Sequence, residues 1–354
     1  MKNFLFILSV ISTSIYIGSS GGFQPFVLIL ILTGLFFIIS DLPRFLPSKI
    51  SSLLVVFFLI YTIFVNLFWS LSAEETIISA YQQVFNLFIF VSFFSYFKLL
   101  SLRGARAVAI WLVIVVLVYL ILAVLGIGRY TFAPRYNAFF NDPNQMAYWL
   151  LCVIVITSNL DSLEKTNSKR RDLISWIAGF ITSMLFTKSR SGMVGFIIYF
   201  SRFINVKFFL LVVPVIILAL AVFSEFFQLL PNLLRLSGLA IDYEIEQRGI
   251  FVPFDYPQYL FFGSGHGNYE RFNLPHEIHS SLFGSFLYYG IPATLIFVFA
   301  VLFSKIPISS KISFLALLAY GITTYGFRTP IFWIAIASIL NSGFIKHKQH
   351  EKVK

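Results

Sequence analysis

The sequence predicts an all-α polytopic membrane protein with about 12 transmembrane helices and both chain ends in the cytoplasm. Three observations predict this class. Hydrophobic residues make up 58% of the 354 residues and charged residues only 12%, about half the share found in soluble domains. Apolar runs long enough to cross a bilayer recur from one end of the chain to the other. Positive charges are also distributed unevenly between alternate loops.

The apolar runs define the predicted spans. They lie at 3–20, 26–40, 52–71, 77–97, 107–127, 146–160, 173–187, 191–205, 208–224, 279–303, 312–326 and 329–345. The first run follows only Lys2 and precedes no convincing cleavage site, which predicts a retained span rather than a removed signal. The chain is therefore expected to form a single integral membrane domain, 1–354, with no separate soluble domain.

The charged residues of alternate loops differ in sign between the two sides of the predicted membrane. Eighteen of the 26 Lys and Arg residues, with five of the 15 acidic residues, fall on the side that holds both chain ends. The other eight cations and ten acids fall on the opposite, outer side. This pattern follows the positive-inside rule and explains the net charge of +11 without a nucleic-acid partner.

One hydrophilic segment is long. It covers 225–278, on the outer side between the ninth and tenth spans, and it is rich in Phe, Tyr and Leu rather than disordered in composition. Long ordered loops of this kind are usually functional. Cys152 is the only cysteine and lies in an apolar run, so no disulfide framework or thiolate metal site is expected.

Cations on the outer side are candidate functional residues, because the sorting rule disfavours them there. They include Arg135, Arg190, Arg248 and Arg328. A charge at membrane depth costs about 2.5 kcal/mol or more and tends to mark a site. Several guanidinium groups converging on one face fit a phosphate or diphosphate ligand, whereas a single one also fits snorkelling to outer lipid phosphates.

The segment 141–147 opens the sixth span. Asp142 is expected to cap the helix, Pro143 suits its first position, and Gln145 is placed to close a capping box. Capping alone explains this pattern. The alternative is that the helix start, with Asn144, presents polar groups to an anion.

Three histidines, His266, His276 and His279, lie at the end of the long outer loop. His276 and His279 are three residues apart with Glu277 between them. Such a pair can share a metal, but no third ligand is evident, so no metal is expected. A histidine at the mouth of a membrane helix suits proton transfer, and a structural helix cap is the alternative.

Two further motifs have simple explanations. The acids Asp242, Glu244 and Glu246 suit a divalent ion or, more simply, a solvated face. The glycine-rich segment 263–268 resembles a nucleotide loop but follows no βαβ unit, which favours a tight turn or a close approach to a sugar. No cofactor is expected.

Several segments, in order, resemble the O-antigen ligase and O-antigen polymerase superfamily, the WaaL-type and Wzy-type bacterial enzymes. The resemblance rests on 135–147, on Ser189-Arg190-Ser191-Gly192, on Gln247-Arg248-Gly249 with 262–269, and on His279 with Leu282 and Gly290-Ile291. The long outer loop before the last three predicted spans also fits. Ser280 stands where this family commonly has Asn after the histidine.

The resemblance implies a GT-C-like membrane glycosyltransferase in the bacterial inner membrane, with its active site on the periplasmic side. The implied donor is an undecaprenyl-diphosphate-linked oligosaccharide and the implied acceptor is a glycan, without a metal. Arg190 and Arg248 would stabilise the leaving diphosphate, and His279 would deprotonate the attacking hydroxyl. The residues expected to bind substrate are Arg135, Asn144, His266, His276 and Arg328. A chain-length regulator and a flippase are the further partners implied.

Three functions stay open at this point. A polymerase that joins repeat units of a surface polysaccharide is the leading hypothesis, and a ligase that moves finished glycan to a lipid A core or a protein is the second. A transporter or flippase of the lipid-linked unit would need polar residues spread through many spans. The concentration of polar clusters on the outer side favours an enzyme.

Overall fold

The computed structural model of the chain describes residues 1–16, 24–42, 49–72, 75–161, 168–203, 249, 251–267, 269–274, 277–322 and 324–351. Within these residues the regular structure is helical, and the only strand-like pairings are two isolated bridges in 129–138. The predicted all-α class is thereby confirmed.

Thirteen α-helices lie in the described residues. They are α1 (Lys2–Ser12), α2 (Pro25–Ser40), α3 (Ile50–Ser70), α4 (Glu75–Leu99), α5 (Leu102–Val124), α6 (Pro143–Asp161), α7 (Ser168–Ile181), α8 (Arg190–Phe200), α9 (Val252–Asp255), α10 (Ser281–Tyr289), α11 (Ile291–Leu302), α12 (Ile308–Gly321) and α13 (Pro330–Glu351). A π-helical turn, Thr182–Thr187, continues α7.

Three of these helices, α3, α4 and α5, are long and apolar enough to cross a membrane. Shorter apolar helices are α1, α2, α11, α12 and the Pro330–Ser342 part of α13. By length and composition, these helices are compatible with a multi-pass membrane protein. The ninth predicted span, 208–224, and most of the long outer loop lie outside the described residues, so the count of about 12 stays a prediction.

The centre of the bundle is formed by α4, α6 and α13. Every residue of 146–156 on α6 and of 331–337 on α13 is buried, as expected for helices that are apolar on all faces. Helix α4 packs against α2, α3 and α13, while α6 packs against α5, α7, α12 and α13.

The segments assigned to the outer side meet at one end of this bundle. Four hydrogen bonds join them: Tyr16 N–H to Phe139 O, Tyr136 N–H to Phe186 O, Trp69 Nε1–H to Gly263 O, and Gln82 Nε2–H to Arg328 O. Two ion pairs, Lys98–Asp41 at 3.8 Å and Arg202–Asp172 at 3.4 Å, join segments assigned to the cytoplasmic side. The spatial grouping therefore follows the charge sorting.

The stretch expected to be one span, 279–303, is instead two helices. The break falls at Gly290, whose φ is 82° and whose Cβ, if present, would lie 2.2 Å from the carbonyl oxygen of Phe261. The loop segment before it fills the break, because Ser264 N–H and Gly265 N–H donate to Leu287 O and Tyr288 O at the end of α10. The end of the outer loop is thus fixed between α10 and α11.

The glycine at 263 is expected to be essential for this fit. Its φ is 88°, and a Cβ would lie 2.3 Å from Tyr288 O. Gly126 is a matched control, since its φ is 66° but the nearest atom to its Cβ is 3.4 Å away. Both Gly→Ala variants carry the left-handed backbone cost of about 1–2 kcal/mol. We expect Gly263→Ala to lower the Tm in nanodiscs by at least about twice as much as Gly126→Ala, because it also displaces backbone. Equal losses would show that the loop yields at little cost.

Candidate functional site

A buried carboxylate organises the outer end of the bundle. Oε2 of Glu277 accepts a hydrogen bond from Nη1 of Arg328 at 2.7 Å and lies 3.4 Å from Nε2 of His266. Oε1 of the same carboxylate lies 4.0 Å from Nδ1 of His279. We call these four residues the carboxylate cluster. Three of them, His266, His279 and Arg328, were predicted as site residues from the sequence.

His266 is fixed from several directions. Its Nδ1 lies 2.6 Å from Ser79 Oγ on α4, and its Nε2 lies 3.1 Å from the hydroxyl of Tyr269. Its backbone N–H donates to Asn66 Oδ1 on α3 at 2.7 Å. The ring stacks on Tyr325, with centroids 5.0 Å apart and planes at 9°. His266 is therefore a rigid part of the site rather than a mobile ligand.

The charges in the cluster are strongly coupled. Burial alone would raise the pKa of Glu277, but Arg328 and the neighbouring histidines outweigh burial and hold that pKa at about 2. Burial lowers the pKa of His266, and Arg328 and Arg271 oppose the effect of Glu277. The lowered pKa favours the neutral form of His266 near pH 7, with Nδ1 towards Ser79 and Nε2 towards the Tyr269 hydroxyl and the carboxylate.

The two outward groups of the cluster are accessible. The side chain of His279 is 43% exposed and that of Arg328 is 32% exposed, against 10% for Glu277. Arg328 ends the 3₁₀ turn Gly326–Arg328 before α13, and the N–H of Gly326 donates to Ser281 Oγ at 2.7 Å. A ligand at this surface would therefore meet an imidazole and a guanidinium, with the carboxylate behind them.

A second polar cluster surrounds Arg135. Its Nε donates to Thr187 O at 3.0 Å and its Nη2 donates to Asn144 Oδ1 at 2.8 Å. We call this the arginine cluster, with Ser189 and Tyr320. The Tyr320 hydroxyl donates to Asn144 O at 2.6 Å and lies 2.9 Å from Ser189 Oγ. The expected pair Arg135 and Asn144 is therefore brought together.

Arg190 is the first residue of α8. Ser189 caps this helix, since its Oγ accepts from Gly192 N–H at 3.1 Å. The preceding π-helical turn ends at Thr187 and is followed by Lys188, which has a φ of 52°. Single π-helical turns and left-handed non-glycine residues are both concentrated at functional sites.

The helix cap at Asp142 is confirmed. Its Oδ1 accepts from Asn144 N–H at 2.6 Å, and α6 begins at Pro143. The expected capping box is wrong, because Oε1 of Gln145 is buried without a hydrogen-bond partner. The carbonyl and side chain of Asn144 are used by Tyr320 and Arg135, so this turn links α6 to the arginine cluster.

The two clusters rest on shared aromatic residues. Tyr148 on α6 packs edge-on against Tyr320 on α12, with centroids 4.9 Å apart. The hydroxyl of Tyr148 lies 2.3 Å from the position that a Cβ would take at Gly326. Any larger residue at 326 would displace this ring, so the arginine cluster and the Arg328 turn are packed against the same helices.

Several sequence-predicted residues cannot be placed. Arg248, His276 and the acids Asp242, Glu244 and Glu246 lie outside the described residues. From the sequence, Glu277 was expected only as an alternative proton acceptor beside two histidines, Arg271 was one of the outer-side cations, and Ser79 was not singled out. Arg271 is held inside the loop, where its Nη2 donates to Gly265 O at 2.8 Å and its guanidinium lies 5.5 Å from the Trp69 ring.

Among the described residues, no three His, Cys, Asp or Glu side chains are arranged so that they could hold a metal ion. Within the carboxylate cluster, Arg328 already occupies Oε2 of Glu277. Metal independence stays a prediction, since the acidic run 242–246 lies outside the described residues.

An apolar recess of about 170 Å³ lies beside the loop that carries His266. Its lining residues come from α3, α11 and the loop just before Gly263; they are Phe57, Phe58, Tyr61, Phe261, Phe262, Pro292, Ala293 and Ile296. The hydroxyl of Tyr61 donates to Phe262 O at 2.8 Å, which fixes one side of the recess.

Comparison with known proteins adds no family assignment. No protein-family model matches the chain, and no curated protein matches its sequence. The resemblance to the O-antigen ligase and polymerase superfamily therefore stands on the motifs quoted above.

Proposed function

We propose that this protein is a membrane glycosyltransferase that polymerises a bacterial surface polysaccharide, such as an O-antigen, a capsule or an exopolysaccharide. The donor is glycan linked to undecaprenyl diphosphate, the acceptor is a sugar hydroxyl, and transfer occurs on the periplasmic face of the inner membrane. The carboxylate cluster carries the proposal, because it presents an accessible imidazole and an accessible guanidinium at the outer end of a membrane bundle.

Glycan transfer requires a proton acceptor and cations that stabilise the leaving diphosphate. An acceptor hydroxyl oxygen attacks the anomeric carbon while the bond from that carbon to the diphosphate oxygen breaks. His279 takes the hydroxyl proton, and arginines stabilise the charge that develops on the diphosphate. Arg328 and Arg135 lie in the described part of the site, Arg190 begins α8, and Arg248 is the fourth arginine of the proposal.

The surroundings suit a lipid-linked donor. The apolar recess next to the loop offers aromatic and aliphatic surface to a hydrocarbon chain, while the polar clusters lie at the same end of the bundle. A flippase would supply the donor at this face, and a chain-length regulator would act on the same polymer. No nucleic acid enters this account.

The glycan profile of cells that lack the protein tests the proposal. We expect single repeat units on the acceptor, because loss of a polymerase stops chain growth but not attachment. Loss of all acceptor-linked glycan with accumulated lipid-linked polymer would instead indicate a ligase. Accumulation of unpolymerised donor on the cytoplasmic face would indicate a flippase, and an unchanged profile would contradict all three.

Transfer is expected to be independent of metal ions. The arginines can neutralise the leaving diphosphate, and Glu277 is already paired with Arg328. Purified protein in excess chelator should therefore keep its full transfer rate. Complete loss that one divalent ion restores would overturn this prediction and assign a role to Asp242, Glu244 and Glu246.

A further inference from the structure

The two oxygens of Glu277 have different surroundings. Oε2 receives Arg328 at 2.7 Å and has His266 at 3.4 Å, so two cationic or donor groups fix the plane of the carboxylate. Oε1 is turned towards Nδ1 of His279, at 4.0 Å. His266 is itself fixed by Ser79 and Tyr269. The direction of Oε1 is therefore set by groups that do not include His279.

Glu277 is poorly suited to be the base itself. Its side chain is only 10% exposed, and one of its oxygens is occupied by a guanidinium. Arg328 and the histidines also hold the pKa of Glu277 at about 2 against the effect of burial, which makes the carboxylate a weak proton acceptor. Its position behind an exposed imidazole suits a supporting role.

We propose that Glu277 is the positioning residue of the site: its Oε1 accepts the Nδ1–H of His279, so that the unprotonated Nε2 faces the acceptor hydroxyl. This inference rests on the proposed function. A separation of 4.0 Å is about 1 Å longer than a hydrogen bond, and catalytic hydrogen bonds are often long until substrate is bound. A carboxylate that fixes the tautomer of a catalytic imidazole is a known arrangement in unrelated hydrolases.

The proton and the electron pairs balance in this scheme. The hydroxyl oxygen forms the new bond to the anomeric carbon as Nε2 of His279 takes its proton. The bond from the anomeric carbon to the diphosphate breaks, and its electron pair stays on the diphosphate. Glu277 remains ionised and stabilises the imidazolium, which later releases the proton to water.

Several charged or titratable groups surround Glu277. The groups that couple to it are Arg328, His266, His279, Tyr269, Tyr288, Tyr289 and Tyr325. Burial raises the pKa of Tyr269 and lowers the pKa of His266. Because modification is read residue by residue, the midpoint at His279 is measured separately from any change of charge at His266.

The test measures His279 directly, without relying on activity. Diethyl pyrocarbonate reacts with the neutral form of imidazole and not with the protonated form, and mass spectrometry of peptides separates modification at 279 from that at the other four histidines. The full-length protein in nanodiscs is compared with Glu277→Gln, which removes only the charge. We expect the pH midpoint of modification at His279 to fall by about 1 unit in Glu277→Gln, because the nearby carboxylate favours the imidazolium. The acid limb of kcat/KM for transfer should move by the same amount, while kcat falls by on the order of 10²-fold or more.

Two further variants serve as controls for Glu277→Gln. Glu75→Gln removes an exposed carboxylate at the start of α4, at the same end of the protein, and should leave the midpoint unchanged. Glu277→Asp keeps the negative charge on a side chain that is shorter by one methylene, so the midpoint of His279 should fall by less in Glu277→Asp than in Glu277→Gln.

An unchanged midpoint in folded Glu277→Gln would overturn the inference, as would equal shifts in Glu277→Gln and Glu75→Gln. A shifted midpoint in a protein that transfers no glycan would support the pairing of Glu277 and His279 but reject the proposed function.

Discussion

Replacing His279 with alanine is expected to reduce glycan transfer by on the order of 10²–10⁴-fold, because a general base is lost. The protein should still insert in the membrane and bind donor. His279 lies just before α10, its side chain is 43% exposed, and its Nδ1 faces Glu277. An imidazole has an unperturbed pKa near neutrality, so it can accept a proton under conditions where an arginine cannot.

His276→Ala is the matched control for this prediction. It should be milder, because the spacing to Gly290 in the superfamily motif fits His279. The comparison is glycan chain formation at equal abundance in the membrane. An inactive His276→Ala with an active His279→Ala would assign the general base to His276, one helical turn earlier. Activity in both variants would reject the histidine mechanism and leave a carboxylate such as Asp142 or Glu277 to take the proton.

Arg190→Lys and Arg248→Lys are each expected to lower transfer nearly as much as Arg→Ala, by on the order of 10²–10³-fold. An ammonium cannot reproduce the two parallel hydrogen bonds that a guanidinium makes to a diphosphate. Arg190 stands at the start of α8, where Ser189 caps the helix, while Arg248 belongs to the predicted outer loop 225–278. The measurement is the rate of transfer together with KM for the lipid-linked donor.

Arg103→Lys provides the control for this pair. Arg103 is exposed near the start of α5 on the side assigned to the cytoplasm, so its replacement should not change transfer. Full activity of Arg190→Lys and Arg248→Lys would leave these arginines only a nonspecific charge role, of the kind that contact with lipid phosphates supplies.

The sequence predicts those features that depend on hydropathy and local chemistry. The all-helical class, the grouping of outer segments and the cap at Asp142 follow from apolar runs, charge sorting and capping preference. The all-round burial of α6 and α13 likewise follows from their uniform apolar character. Each of these depends on residues that are close together in the chain.

Other features depend on contacts between distant residues. The run at 279–303 is continuous in hydropathy, and its break combines a local signal, Pro292 in the first turn of α11, with the close approach of the distant Phe261 to Gly290. The local sequence does not indicate that Glu277 organises the site, because its hydrogen-bond partner Arg328 lies 51 residues later in the chain. Ser79 and His266 are 187 residues apart, so their hydrogen bond has no local signal.

Transfer by the purified protein tests the central claim most directly. The full chain in nanodiscs is given undecaprenyl-diphosphate-linked repeat units, and both glycan length and released undecaprenyl diphosphate are measured. The account predicts longer lipid-linked glycan with one diphosphate lipid released per unit added, and almost none of either with His279→Ala. Donor that stays unchanged with the wild-type protein, or equal products from wild type and His279→Ala, would contradict it.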